Sequence, residues 1–197
     1  FIGRGAGVNI SATLDNVAIG RAAFQGTGVN NNSSYNTAVG AYAMNVSSSA
    51  AYNVAIGKDA GRGITTGFRN VCIGYDTDNV TSGSGNVVIG AEAVTPSATG
   101  DRQLVISGYD GTTNTTWISG DSSGNLTFKR VDTGDDNPYV LTLQTGETDI
   151  AVSDVLGSIN FQAPDEGAGT DAILVAAGID AVSEGDFSSS NNATKLS

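Results

Sequence analysis

The chain has 197 residues, with 20 acidic against 9 basic side chains and a formal charge of −11. That balance argues against a nucleic-acid partner, because phosphate attraction needs clustered Lys and Arg and here they are scattered. It has no histidine and one cysteine, Cys72, which excludes an intrachain disulfide, His-dependent Ser and Cys triads and the usual zinc ligand sets.

In chain order the first feature is a repeat. Asn16-Val17-Ala18-Ile19-Gly20 returns as Asn36-Thr37-Ala38-Val39-Gly40, Asn53-Val54-Ala55-Ile56-Gly57, Asn70-Val71-Cys72-Ile73-Gly74 and Asn86-Val87-Val88-Ile89-Gly90. Phe1-Ile2-Gly3 is a truncated copy and Gln103-Leu104-Val105-Ile106-Ser107 a worn one. The glycine column, closed by Ser107, has spacings of 17, 20, 17, 17, 16 and 17 residues. Three residues past each glycine stands Ala6, Ala23, Ala43, Ala60 or Ala93, with Thr77 as the exception. A fixed period of this length is a solenoid signal.

Each copy reads as a short strand with alternating faces. One face carries Val17, Ile19, Val39, Val54, Ile56, Val71, Ile73, Val87, Ile89, Leu104 and Ile106, predicted to fill the inside of a parallel roll. The other carries Ala18, Ala38, Ala55, Cys72 and Val88, small enough to press against a neighbouring copy of the chain as a subunit interface. The reverse assignment of the two faces is the alternative. Gly20, Gly40, Gly57, Gly74 and Gly90 are the expected turns of the repeat, and Gly- and Asn-rich linkers supply the remaining corners. Tyr35, Tyr42, Tyr52 and Phe68 recur near those corners and are expected to cap the ends of the core; the alternative is a sugar- or protein-binding patch. Cys72 reads as a small apolar filler.

The N-x-A-[IV]-G-x-x-A period resembles the head repeats of trimeric autotransporter adhesins, and the same repeat as used in tail and neck fibres of tailed bacteriophages. The resemblance covers residues 1–107 and implies a parallel β-roll assembled as a homotrimer. These linkers are longer and more variable than is usual in the adhesin repeat.

Beyond Thr95-Pro96-Ser97 the pattern loosens. Residues 101–130 predict antiparallel strands over Arg102–Ser107, Thr115–Ser119 and Asn125–Arg130, with Gly120-Asp121-Ser122-Ser123-Gly124 as a hairpin connection. Trp117, Leu126 and Phe128 are its expected buried anchors. Residues 108–150 thus form a connector, with a boundary at the 132–138 loop and a strand over Tyr139–Gln144. Residues 151–197 form a C-terminal fibre segment with strands over Val155–Phe161 and Ala172–Val182; for the second, strand is preferred over helix because of its β-branched content and Gly178. This segment, from Asp154-Val155-Leu156-Gly157-Ser158-Ile159-Asn160-Phe161 to Ala181-Val182-Ser183-Glu184, is similar to the one that precedes the self-cleaving intramolecular chaperone of many phage tail fibres and tailspikes.

Sites of chemistry are few. Gly57-Lys58 is followed by Asp59 where a phosphate loop needs Ser or Thr. Asp76 and Asp78 open like a calcium loop that Thr81 then breaks, and Asp132, Asp135 and Asp136 read as solvated turn acids before a calcium site. Asp110, Asp121 and Glu92 are acids of the kind a polysaccharide-cleaving tailspike pairs, but the chain lacks the broad platform such enzymes need. The expected protein is therefore an all-β, non-catalytic structural component without cofactor or metal. It is read as an intertwined homotrimeric fibre with a combined charge of 3 × −11 = −33, of a phage virion's tail or neck, built for host-surface attachment. Its expected partners are other virion tail or neck proteins and a host-surface glycan or protein. The second reading is the head of a bacterial adhesin at the cell surface, binding host matrix or glycans. No run approaches the ~18 apolar residues of a membrane helix, so no membrane insertion is expected.

Overall fold

A computed structural model describes residues 1–10, 15–27, 33–77, 79–130, 134, 138–162, 175–187 and 194–196. The chain divides into two compact units, Phe1–Asn137 and Pro138–Ser197.

In the first unit, each pentapeptide contributes one three-residue strand: β1 (Val17–Ile19), β2 (Thr37–Val39), β3 (Val54–Ile56), β4 (Val71–Ile73) and β5 (Val87–Ile89). They are followed by β6 (Leu104–Tyr109), β7 (Asn114–Gly120) and β8 (Leu126–Phe128), and the eight form one sheet in chain order. β1 to β6 run parallel, and equivalent residues of successive copies face each other, as in Val54↔Val71, Ala55↔Cys72 and Ile56↔Ile73. The sequence period and the structural period are therefore one quantity: each linker returns the chain to the same register one strand step along. This is a β-solenoid.

The strands are short because both ends of the pentapeptide are used for something else. At the C-terminal end the glycine turns the chain; Gly74 has φ +139°, and a Cβ there would stand 2.2 Å from the carbonyl oxygen of Gly90 on the next coil. At the N-terminal end the asparagine side chains form a ladder through the interior. Asn70 Oδ1 accepts from the backbone N–H of Asn86 at 2.9 Å and from its side-chain amide at 3.1 Å. Asn70 Nδ2 donates to Asn53 Oδ1 at 3.1 Å and to the Gly83 carbonyl at 2.9 Å. The same pattern links Asn16, Asn36 and Asn53 below, and Gln103 ends it on Asn86. A buried polar network is favourable only when every member is satisfied, and the amide meets that condition by holding both the coil above and its own linker. Asn70→Ala strands the buried Asn86 N–H and Gly83 carbonyl, each at a cost of roughly 1–3 kcal/mol. The expected result is a clearly lowered urea midpoint; a loss below about 1 kcal/mol would mean that water replaces the amide.

The core lies between two columns of small side chains. Ala18, Ala38, Ala55, Cys72, Val88 and Val105 come from the strands. Ala23, Ala43, Ala60 and Ala93 come from the turn that follows each glycine, and Phe24, Met44, Ile64 and Val80 fill the ends of the coils.

β6 makes the transition out of the solenoid. Its first three residues pair parallel with β5, and the whole strand pairs antiparallel with β7, with a register shift after Ile106. β7 then pairs with β8 across the expected hairpin, so both strands extend the solenoid's own sheet. Trp117, Leu126 and Phe128 are exposed rather than buried, on the two strands that stand last in the sheet. Trp117 does lie against the backbone, its ring within 2.6 Å of where a Cβ on Gly108 would stand.

The second unit is an antiparallel sheet of order β11-β10-β9, with β9 (Val155–Gln162), β10 (Val175–Ser183) and β11 (Thr194–Leu196). The run ending at Val182 is thus strand where it is described, with register irregularities near both ends of its pairing to β9. Ser183 is buried; its hydroxyl donates to the Ala151 carbonyl and accepts from the Asp154 N–H, tying the loop before β9 to the end of β10. Tyr139–Gln144 is not a strand: it pairs with no sheet, and Val140, Leu141 and Leu143 are exposed. Leu143 lies against β9, its Cβ 3.3 Å from where a Cβ on Gly157 would stand, so the segment meets the sheet by a side chain and not by a ladder of backbone bonds.

Candidate functional site

The two faces of the repeat are the reverse of the primary expectation. Ala18, Ala38, Ala55, Cys72 and Val88, assigned to a subunit interface, are buried inside the roll. The branched column, assigned to the core, points outward. Val17, Ile19, Ile56, Ile73 and Ile89 are between 36% and 45% exposed, and Val39, Val54, Val71, Val87, Leu104 and Ile106 are half-buried. The reason is volume. The alanines three residues past each glycine share the core with the strand column, and the larger volumes inside it are already taken by Phe24, Met44, Ile64 and Val80. The interior widens to Val88 and Val105 only in the last coils. Cys72 is filler, as expected; burial pushes its thiol up to about 12, so it carries no thiolate near neutral pH.

The outward face therefore presents a ladder of branched aliphatics, one pair of side chains per coil except at β2, where Thr37 stands beside Val39.

Aromatic and cationic side chains occupy the corners. Tyr35, Tyr52 and Phe68 are exposed and do not cap the core. Tyr35 and Tyr52 stack with ring centroids 5.0 Å apart and planes 8° from parallel. Arg69 lies 5.5 Å from the Tyr52 ring and 5.5 Å from the Phe68 ring. On the other corner Arg21 covers Tyr42 at 4.6 Å and Lys58 covers Tyr75 at 4.9 Å. Lys58 also pairs with Asp59, which Arg62 approaches at 3.8 Å, so this lysine serves a local ion cluster.

The candidate acids are occupied in turns. Asp110 Oδ1 accepts from the N–H groups of Thr112 and Thr113, both at 2.8 Å, and these bonds hold its carboxyl below the usual range. Asp121 accepts from the Asn125 side chain at 2.8 Å and from the N–H groups of Asn125 and Ser123, with the same effect on its carboxyl. Glu92 holds a left-handed corner with φ 50°. Among the described residues no three His, Cys, Asp or Glu side chains gather as metal ligands; Asp78 and the Asp132, Asp135 and Asp136 loop lie outside them. No helix among the described residues is long and apolar enough to cross a membrane.

Fold and columns together define a β-solenoid repeat protein continued by antiparallel strands. No protein-family model, characterised protein or solved structure matches the chain.

Proposed function

We propose that the chain is a non-catalytic structural element of a tail or neck fibre of a tailed bacteriophage, assembled as a homotrimer that attaches to a host surface. The observation that carries this reading is the outward Val/Ile ladder. Val17, Ile19, Ile56, Ile73 and Ile89 stand exposed on four of the first five strands, while the strand column inside the roll is alanine in its first three coils. An alanine core with one linker per coil is thin, and a chain built this way gains most by burying its outer ladder on identical copies. A three-fold axis parallel to the solenoid lets the same ladder from each copy meet at the centre, a closed arrangement that leaves no ladder free. Antiparallel sheet after the solenoid supports the fibre over an adhesin head, which passes into a short neck and a coiled coil.

The mass in solution tests the assembly. Sedimentation equilibrium should give about 59 kDa, three times the 19.8 kDa chain. A monomer throughout the micromolar range would remove the reading. Immunogold labelling with antibodies to the purified chain should mark the fibres of tailed virions; label confined to a bacterial envelope would instead favour the adhesin head.

A further inference from the structure

The corner before each strand repeats one backbone conformation that glycine usually supplies. Asp15, Tyr35, Tyr52, Arg69 and Arg102 have φ between 50° and 60°, and Gly85 stands in the same column at 69°. Held alike at the same register, these residues place one side chain per coil on one corner. The Tyr35 and Tyr52 rings occupy successive coils at 5.0 Å, close to the strand spacing of about 4.8 Å. Arg69 continues the stack on the next coil, over Tyr52. At the coil after that the column has Gly85 and so lacks a rung, and Arg102 resumes it.

The gap is a slot lined by Phe68, Arg69, Ser84, Gly85, Asp101 and Arg102. Arg69 and Arg102 are two strand steps apart along the column, roughly 9.6 Å, which leaves space for one ring between two guanidinium groups. The floor's backbone donors are spent: Gly85 N–H bonds to the Phe68 carbonyl at 2.9 Å, Arg102 N–H to the Ser84 carbonyl at 2.9 Å and Ser84 N–H to Asp101 Oδ1 at 2.8 Å. The guanidinium donors are not. Among the described residues the ion pairs are those of Lys58 and Arg62 with Asp59, and neither slot arginine joins one. Two cations thus face one carboxylate that already holds a backbone N–H, in a chain whose net charge is −11. A guanidinium fork matches a carboxylate in plane and spacing, and its flat faces and the exposed Phe68 ring take the C–H face of a ring.

We propose that this slot binds a carboxylated sugar ring of an acidic polysaccharide, inserted as the missing rung. The proposal rests on the surface-attachment reading and names the ligand class for it.

Isothermal titration of the whole chain with tetragalacturonate, maltotetraose and inorganic phosphate tests it. Tetragalacturonate should bind, maltotetraose at least tenfold more weakly, and the affinity should fall as salt rises. Gly85→Asn fills the rung with a residue that tolerates this backbone conformation, and an added Cβ meets Arg102 Cγ at an ordinary 3.5 Å. This variant and Arg102→Gln should each lose at least tenfold with unchanged melting, while Tyr35→Ala stays within twofold. Equal binding of maltotetraose, equal competition by phosphate alone, affinities within twofold in both slot variants, or no binding at millimolar ligand would each overturn the proposal. Sedimentation of the same samples reads the trimer separately, so a failed slot and a failed fibre are distinguished.

Discussion

Gly74→Ala is expected to lose roughly 3–5 kcal/mol of stability, the sum of backbone strain and a clash that nothing nearby can relieve. The methyl group would sit 2.2 Å from the Gly90 carbonyl oxygen and 2.6 Å from its carbon, and the φ of +139° is itself one that L side chains rarely adopt. Neither neighbour is a flexible side chain. The coil at Gly90 would have to move away, breaking the register of β4 on β5. The damage would propagate, because each coil of a solenoid is held chiefly by its two neighbours. Gly57 faces Gly74 in the same way, at 2.2 Å, so the column is a continuous line of close backbone approach. A fall in melting temperature of about 10 °C or more is the expected reading for a chain of this size. Gly146→Ala is the control: its Cβ would meet nothing within 4 Å, and its melting temperature should hold. If Gly74→Ala melts with the control, the coils are not stacked at strand spacing.

Much of this architecture was written in the order of residues. The recurring pentapeptide, with Asn and Gly always four residues apart, located β1 to β5 and their register, since equal motifs recurring every 16 to 20 residues leave one way to lay a coil on its predecessor. The orientation of the strands was harder. Val-Ala-Ile alternation shows that two faces exist but does not say which faces in, and the habit of placing the larger aliphatics inside pointed the wrong way. The deciding signal was present in Ala23, Ala43, Ala60 and Ala93. A second small column at constant register shares the core with the strand column, and two small columns keep the interior narrow. The corner column was not legible at all. Tyr52, Arg69 and Arg102 are not residue types that announce a positive φ; the coil imposes it on them, and only their shared backbone geometry reveals that Gly85 is a gap in a stack. The failures at Trp117, Leu126, Phe128 and Tyr139–Gln144 have one physical cause. Apolar alternation shows that a segment has an apolar face but not how much of it is covered: Leu143 lies against β9 and Trp117 against Gly108, yet both side chains stay largely exposed.

The adjacent pair Ala55 and Ile56 separates the stability of one roll from the assembly of three, and Asp at each position should fail differently. Ala55 is fully buried between Ala38 and Cys72. Among the described residues no Lys or Arg is buried in the core to pair with a carboxylate there, and an uncompensated buried charge costs about 3–5 kcal/mol. Ala55→Asp should therefore lose the β signal in circular dichroism at neutral pH. Part of it should return as the pH falls, since burial raises the folded-state pKa of such a carboxyl and folding then favours the protonated form. Ile56 is 41% exposed on the outer ladder, where a single chain meets Asp with water and little cost. Ile56→Asp should keep the β signal, but it would place three carboxylates around the proposed three-fold axis, where like charges in a desolvated centre repel. The expected reading is a folded species of 19.8 kDa in place of the trimer. A variant that stays trimeric would show that the Val/Ile ladder does not face the axis. One that unfolds outright would return the large aliphatics to the core and the alanines to the interface.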